Sequence, residues 1–348
     1  MSYERGLKAL NLEMTEKIPH TEYLDHPGYV RLKTGFDLNP DDPDEFRLAN
    51  AAIAKVMDYD LFWNIFERPI TRGRITKMGR AYFHENQGPD YEVYCPFKTV
   101  EDVLNFDPVA EYGIPDVDIT AKIFQQHYVE NQALYDSMVY TGGRYHTLFS
   151  ACIRTFGWEM FLAGAGAEYE RFDRVLEGFY EISMAEVKAW AKTGIKAYIC
   201  HDDIVWSSGP VFHPDWYRKY IFPRYKKLWA PLKEAGIKVL YCSDGNFDAF
   251  VDDIAGAGAD GFIFEPITSL ERIAEKYRKS KVMVGNIDCR ILTSGTKEEI
   301  RAEVKRCADI GRDCPGYFFA VGNHIPANVP IENIEIYLDA LDEFGRRS

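Results

Sequence analysis

The sequence predicts an α/β fold, a single (β/α)8 barrel of the TIM type that is distorted and carries an irregular N-terminal extension. From about residue 136 onward, short apolar segments alternate with segments of helical periodicity. The apolar segments are continuous, which is typical of parallel strands buried on both faces. Nearly all of them end in a polar residue, and none is followed by a Gly-x-Gly-x-x-Gly turn. A barrel brings every strand end to one mouth, whereas an open sheet has a single crevice, so these features favour the barrel.

The N-terminal part, residues 1–130, has a less regular pattern. Alternating apolar residues interrupted by Gly79 and Gly88 indicate a hairpin flap in this part. The expected elements are a helix at residues 3–12, a strand at 18–24, a helix at 45–56, the flap at 72–93 and a short capped helix at 99–104.

Regular β/α units are predicted between residues 131 and 345. Their repeated spacing implies a parallel sheet with right-handed crossovers. No repeat, low-complexity tract or Gly/Ser linker marks a boundary, so residues 1–348 are interpreted as one domain. Strands are expected at 137–143, 197–203, 238–245, 261–266, 281–288 and 317–324, with helices that include 170–193, 214–236 and 296–311.

Composition limits the classes of function. The net charge of -13 argues against a nucleic-acid partner, because phosphate groups would be repelled. The sequence contains no run of eighteen apolar residues, so it predicts no membrane span. Residues 1–17 lack the apolar segment that a signal peptide has. Seven cysteines without a Cys-x-x-Cys pair are typical of reduced thiols. We therefore expect a cytoplasmic protein with no membrane or nucleic-acid partner.

Polar residues at the predicted strand ends are the candidates for chemistry, since a barrel would direct them into one cavity. Neighbouring residues of a strand face opposite sides, so only one of Asp202 and Asp203 should enter that cavity while the other caps a loop. The one that enters is interpreted as a general base, a metal ligand or an acceptor for a substrate hydroxyl group. The candidates are Glu22, His201, Asp202, Asp203, Cys242, Asp244, Asn246, Glu265, Asp288 and His324.

Each candidate also has a structural interpretation. Cys242 is interpreted as a core thiol, His324 as a satisfied structural histidine, and Asp288 as a cap of the following loop. No His-x-Cys or Cys-x-x-Cys zinc signature is present, so any metal would be bound by oxygen and imidazole ligands.

Several motifs together resemble the uroporphyrinogen decarboxylase superfamily, and the resemblance covers nearly the whole chain. It implies a distorted (β/α)8 barrel. The motifs are Tyr3-Glu-Arg-Gly-Leu-Lys-Ala-Leu10 with Ile18-Pro19, His201-Asp-Asp203, Ser243-Asp-Gly-Asn246, Gly285-Asn-Ile-Asp288 and Pro330-Ile-Glu-Asn333.

The resemblance offers two chemistries. True decarboxylases grip the carboxylates of a tetrapyrrole with an early Arg-Gln-Ala-Gly-Arg-type motif, whereas residues 21–26 here contain no arginine and two acids. The other branch comprises cobamide-dependent methyltransferases. Their methanogen and chloromethane members bind zinc through a His-x-Cys motif and a later cysteine. The corresponding positions here are Cys242, Asp244 and Asn323, so a thiol-activating zinc site is not expected. The chain instead looks like the methyltransferase component of O-demethylase systems, which moves a methyl group from a methyl ether, typically a methoxylated aromatic, to Co(I) of a separate corrinoid protein.

The resemblance also implies roles for particular residues. It implies zinc bound by Asp288, Glu303 and His324, and a cobamide supplied by a corrinoid-binding partner. From the strand-end argument, the catalytic candidates are Asp202, Asp203, Asp244 and His324, and the substrate-binding candidates are His201, Trp206, Cys242, Asn246, Glu265 and Glu22. Trp63, Tyr241 and Phe264 are further candidates for ring walls, with outward packing as the alternative for Tyr241 and Phe264, which lie mid-strand.

Two alternatives remain open from the sequence. A cofactor-free decarboxylase or lyase would need cationic residues for a carboxylate, for which Arg144 and Arg290 are the candidates. A non-catalytic barrel that binds a corrinoid or an apolar ligand is the second.

Overall fold

The computed structural model describes residues 2–76 and 95–347, and its strands are short. Residues 77–94 lie outside the described part, and with them most of the predicted flap; residues 72–76 form no strand. The strands are β1 Leu24–Asp25, β2 Leu61–Phe62, β3 Val139–Tyr140, β4 Gly142–Arg144, β5 Ala197–His201, β6 Val205–Trp206, β7 Gly209–Pro210, β8 Lys238–Ser243, β9 Gly261–Phe264, β10 Val282–Val284, β11 Tyr317–Phe318 and β12 Ile325–Pro326.

The parallel strands close into a ring. Six strands form one sheet in the order β11-β10-β9-β8-β5-β4, β2 pairs in parallel with β3, and β1 pairs in parallel with β12. His20 bridges Phe319 in parallel, and its carbonyl oxygen accepts the N–H of Asp60 at 2.8 Å. The segment at residues 20–25 therefore lies between the second and the last barrel strands. These eight segments form a closed barrel, which confirms the predicted fold class.

The barrel interior is a small apolar cluster. Leu61, Val139, Ala197 and Leu240 belong to it, and Leu10 of the first helix packs against the same cluster. Because three of these four residues begin their strands, the first helix covers the N-terminal end of the barrel. The opposite end, where the strands finish, is left for a ligand.

Most helices alternate with the strands and pack on the outside of the ring. Alternate residues of β5, Tyr198 and Cys200, contribute to this outer core. No helix in the described ranges is both long and apolar enough to span a membrane. The helices are α1 Ser2–Leu10, α2 Pro27–Thr34, α3 Pro43–Val56, α4 Val100–Leu104, α5 Pro108–Tyr112, α6 Val117–Leu134, α7 Phe149–Ala167, α8 Tyr169–Trp190, α9 Pro214–Tyr220, α10 Phe222–Glu234, α11 Val251–Ala257, α12 Leu270–Tyr277, α13 Cys289–Ser294, α14 Lys297–Gly311 and α15 Ile331–Phe344.

Two sequence predictions differ from the structure in detail. The helix expected at 214–236 is two consecutive helices, α9 and α10, which meet at Ile221. Pro223 lacks an N–H and its ring opposes continuation of the preceding turn, so the chain starts a new helix there. The irregular N-terminal part also supplies two of the eight barrel segments, 20–25 and β2, and is therefore integral to the ring.

Substitution of Gly311 should test the packing of the last β/α unit. A Cβ atom at Gly311 would lie 2.0 Å from the ring of Tyr317, which is fully buried on β11. We expect G311A to lower the free energy of unfolding by about 1–3 kcal/mol, as overpacking does. In the control, G256A on α11, the new Cβ meets nothing within 4 Å, so a change between zero and a gain of about 1 kcal/mol is expected. Urea unfolding measures both, and equal losses would contradict this packing.

Candidate active site at the barrel mouth

Three polar side chains converge at the C-terminal ends of β5 and β8. They are His201, Asp203 and Asp244, and their candidate ligand atoms lie within 4.8 Å of one another. His201 Nε2 is 3.4 Å from Asp203 Oδ1, and the backbone N–H of Asp244 donates to the same oxygen at 2.9 Å. Within residues 2–76 and 95–347, no other three His, Cys, Asp or Glu side chains converge in this way. We refer to these three residues as the mouth cluster.

Strand alternation decides which of the two adjacent aspartates enters the mouth. Asp203 does, while Asp202 is buried among the surrounding helices and shows no solvent exposure. The Asp202 carboxylate accepts hydrogen bonds from the backbone N–H groups of Leu148, Phe149 and Ser150 at 3.1, 3.1 and 2.6 Å, and from the Tyr225 hydroxyl at 2.6 Å. It therefore caps the start of α7. This placement is contrary to the catalytic role predicted for Asp202.

A bridging amide holds the acids of the mouth in place. Asn323 Nδ2 donates to Asp244 Oδ2 at 3.3 Å and to Glu265 Oε1 at 3.2 Å. The other Glu265 oxygen accepts the backbone N–H of Gly245 at 2.7 Å. Glu265, a predicted substrate-binding residue, therefore lies beside Asp244 and orients it.

The concentration of negative charge changes the protonation of the mouth. Burial raises the pKa of Asp203 to about 7; the N–H of Asp244 opposes this shift, and the charges of Asp202 and Glu265 add to it. Burial, together with the charges of Asp244 and Asp203, also raises the pKa of the Cys242 thiol well above its usual value. Because a metal is bound by thiolate and not by thiol, Cys242 is a poor ligand here. It fits the interpretation as a core residue.

The orientation of His201 leaves one ring nitrogen directed at the acids. His201 Nδ1 lies 3.1 Å from the carbonyl oxygen of Tyr145, and a carbonyl only accepts, so Nδ1 carries the hydrogen. The imidazole stacks on the Tyr145 ring with a centroid distance of 3.9 Å and an interplanar angle of 15°. This arrangement fixes the tautomer in which Nε2 is a lone-pair donor, as metal-binding histidines require.

The predicted zinc set does not assemble. Asp288 is held by Arg290 at 2.6 Å and caps α13, while Glu303 is held by Arg306 at 2.8 Å. The Glu303 carboxylate does accept the backbone N–H of Asp288 at 3.2 Å, but it does not share a ligand position with it. Asp288, Glu303 and His324 therefore do not form a converging group of ligand atoms in this structure, in which Arg290 and Arg306 engage the two carboxylates.

Two of the predicted substrate-binding residues, Glu22 and Asn246, make contacts that stabilise the fold. Glu22 is buried and accepts hydrogen bonds from Val321 N at 2.9 Å and from the hydroxyl of Tyr337, and its carboxylate lies 3.0 Å from His20 Nε2. It joins the first barrel segment to the last and does not face the mouth. Asn246 shapes the turn after β8, since its side chain accepts the N–H of Asp248 at 3.1 Å.

Aromatic residues contribute unequally to the mouth. Trp206 is 45% exposed, and its backbone packs so closely on Gly245 that a Cβ there would lie 2.8 Å from the Trp206 carbonyl oxygen. Trp206 is thus an exposed ring directly beside the turn that carries Asp244. Tyr241 and Phe264 are buried in the outer core, so of the two orientations open for these mid-strand residues the structure has the outward one.

Tyr23 packs between two other rings at the barrel end. Its ring packs edge-to-face on Trp63 with centroids 5.3 Å apart and on His324 with centroids 6.0 Å apart. The predicted residues Trp63 and His324 therefore belong to one aromatic group.

Sequence reasoning missed the supporting residues. Tyr145, which stacks on His201, follows the β4 strand end by one position, and this position was its only signal. Asn323 was named for its match to a zinc position of the methyltransferases. Its bridge between two carboxylates depends on the closure of the barrel and could not be predicted from the local sequence pattern.

Comparison with known proteins agrees with the barrel fold. The family model described as uroporphyrinogen decarboxylase (URO-D) matches residues 82–344. The chain belongs to the uroporphyrinogen decarboxylase family, which confirms the superfamily inferred from the motifs.

Relatives of known name are distant. A uroporphyrinogen decarboxylase of Syntrophotalea carbinolica is 28% identical over 203 residues, which cover 58% of this chain and 57% of the relative. One from Carboxydothermus hydrogenoformans is 25% identical over 276 residues, covering 78% and 75%. Among solved structures, a methyltransferase from Methanosarcina mazei superposes with a TM-score of 0.70 over 99% of this chain and 98% of that one, at 18% identity. At that identity the likeness concerns the fold.

The raised pKa of Asp203 should make the stability of the metal-free protein depend on pH. A carboxyl group that binds its proton more tightly when folded costs stability as pH rises from about 4 to about 7. We expect D203N to gain about 1–3 kcal/mol more over the unsubstituted protein at pH 8 than at pH 5. Urea unfolding of chelator-treated protein at both pH values provides the measurement.

D288N is the control for this prediction. The hydrogen bond and charge of Arg290 lower the pKa of Asp288, so its ionised form stabilises the fold and its loss should bring no gain at pH 8. The same pH-dependent gain in both variants would contradict the account of Asp203.

Proposed function

We propose that this chain is the methyltransferase component of a corrinoid-dependent O-demethylation system. It moves a methyl group from a methyl ether, a methoxylated aromatic in the form we favour, to Co(I) of a separate corrinoid-binding protein. The mouth cluster carries the proposal, because an imidazole and two carboxylates directed at one point supply a site for activating an ether oxygen. Family membership and the shared fold with a protein named as a methyltransferase support it.

The residues of the mouth cluster fit a divalent cation, and we propose zinc. One neutral imidazole and two carboxylates give three protein ligands, the usual number in catalytic zinc sites, which keep a further position open. The crowding of Asp203 against Asp202 and Glu265 would be relieved by positive charge at this point. When bound, zinc would supply Lewis-acid polarisation of the ether oxygen, worth several kcal/mol.

The chain itself provides orientation. Tyr145 holds the His201 ring through stacking and through its carbonyl group. Asn323 fixes the Asp244 carboxylate from the opposite side. Trp206 offers an exposed face on which an aromatic donor can stack. Preorganised groups of this kind place the methyl carbon towards the open end, where the partner must approach.

Decarboxylation is the second candidate, favoured by the names of the relatives. It would need cations at the mouth to bind a carboxylate substrate. The sequence candidates are both engaged: Arg144 pairs with the buried Glu186, and Arg290 pairs with Asp288 at 2.6 Å. The mouth cluster and Glu265 would repel a polyanionic tetrapyrrole.

Metal content distinguishes the mouth cluster from the zinc set predicted from sequence. We expect protein purified with zinc to hold about one ion per chain, and H201A, D203N and D244N to lose it, since each removes a ligand. The matched controls D288N and E303Q should keep it. Elemental analysis after gel filtration gives the ratio; retention by the first three variants and loss by the controls would reverse the assignment.

Activity tests the proposed reaction. Mixed with a reduced corrinoid protein and guaiacol or veratrole, the protein should produce methyl-Co(III) absorbance. We expect the rate to fall at least about 100-fold in D203N and D244N, in line with the loss of several kcal/mol of transition-state stabilisation.

The absence of methyl-Co(III) with every methoxyarene, together with carbon dioxide release from uroporphyrinogen, would instead favour decarboxylation. A signal that persists when His201, Asp203 and Asp244 are all substituted would remove the cluster from catalysis.

A further inference from the structure

A second concave site lies beside the mouth. It has a volume of about 320 Å³ and is bordered by residues 67–72, by residues 112–116, and by α7 and α8. It shares no lining residue with the mouth cluster. The two are nevertheless neighbours, because His146 lines this cleft and the adjacent Tyr145 stacks on His201. We refer to it as the arginine cleft.

Four arginines of the described residues line the arginine cleft, and two of them are paired with acids. Arg144 pairs with the buried Glu186, and Arg154 Nη1 lies 3.0 Å from Glu67 Oε1. Glu67 also accepts the backbone N–H groups of Tyr145 and His146 at 3.2 and 3.1 Å, and its Oε1 lies 2.6 Å from His146 Nδ1. Asp116, a third acid of the lining, accepts the backbone N–H of Ile119 at 2.8 Å and caps α6. These three acids are therefore engaged by the framework of the cleft.

The other two arginines, Arg68 and Arg72, form no ion pair with the described residues. Among the residues that the structure describes, no carboxylate lies within 4.0 Å of either guanidinium group. Arg68 Nη1 donates to Thr120 Oγ1 at 3.2 Å and Arg72 Nε donates to the Tyr112 carbonyl at 3.3 Å. A guanidinium group has five N–H donors, so most of theirs remain available. In a chain of net charge -13, two such cations in one concavity form a site for an anion.

The remaining walls indicate what kind of anion fits. Ile70, Ile114, Phe179 and Ile182 surround the cationic groups. An inorganic ion would leave these apolar surfaces in contact with water, whereas an organic anion would cover them. The planar fork of arginine matches a carboxylate in two hydrogen bonds.

We propose that the arginine cleft binds a small organic carboxylate, whose charged group is accepted by Arg68 and Arg72 and whose apolar body lies against the isoleucine and phenylalanine side chains. The proposal is independent of the reaction at the mouth, since it concerns binding alone. A failure to bind a carboxylate would therefore leave the methyl-transfer proposal intact, and a failure of methyl transfer would leave the binding proposal intact.

Calorimetry with benzoate and its neutral analogue benzamide tests this binding. We expect the unsubstituted protein to bind benzoate more tightly than benzamide, with an affinity that falls as salt is added. R68Q and R72Q should each weaken benzoate binding about 10- to 100-fold, the effect of losing a hydrogen bond to a charged group. Benzamide binding should change less than about twofold, because that ligand carries no charge for either arginine to meet.

R174Q is the control, since Arg174 is exposed on α8 and does not line the cleft. It removes the same charge and should weaken benzoate binding less than about twofold. R68K and R72K, which keep the charge but lose the fork, should fall between the glutamine variants and the unsubstituted protein. Equal binding of benzoate and benzamide, no binding of benzoate, or equal weakening by R174Q would overturn the proposal.

Discussion

The opposite orientation of neighbouring residues at the end of β5 is the constraint on which the rest of the site depends. His201 and Asp203 face the mouth, whereas Asp202 between them faces the helices and caps α7. The cap fixes the helix that follows β4, and that connection carries Tyr145, the residue that stacks on His201. One tripeptide thus joins the packing of the barrel wall to the geometry of the candidate metal ligands.

The charge distribution of this region is divided between two neighbouring places. The mouth concentrates carboxylates, which favours a cation, while the arginine cleft contains two guanidinium groups that form no ion pair with the described residues, which favours an anion. They are separated by the Tyr145–His146 pair, one residue belonging to each side. The mouth shares the negative sign of the protein's net charge of -13, whereas the arginine cleft opposes it. Net charge alone therefore does not describe what this end of the barrel binds.

The sequence predicted the barrel and much of the mouth, because strand ends in a barrel converge whatever connects them. That argument brings Asp203, Asp244 and Glu265 together correctly, and the period of two requires that Asp202 and Asp203 part. It could not say which of the two enters. The spacing of Asp288, Glu303 and His324 implied a common zinc site. In the structure, Arg290 and Arg306, which are close in sequence to the two acids, engage them instead. The arginine cleft was missed because Arg68 and Arg72 lie in an irregular segment without periodic signal, which the fold brings against α7 and α8.

Anomalous diffraction at the zinc edge, from crystals grown with one equivalent of zinc, tests the central claim most directly. The account predicts a single strong peak bounded by His201 Nε2 and the carboxylates of Asp203 and Asp244. A peak at Asp288, Glu303 and His324, or no peak at the mouth under these conditions, would contradict it.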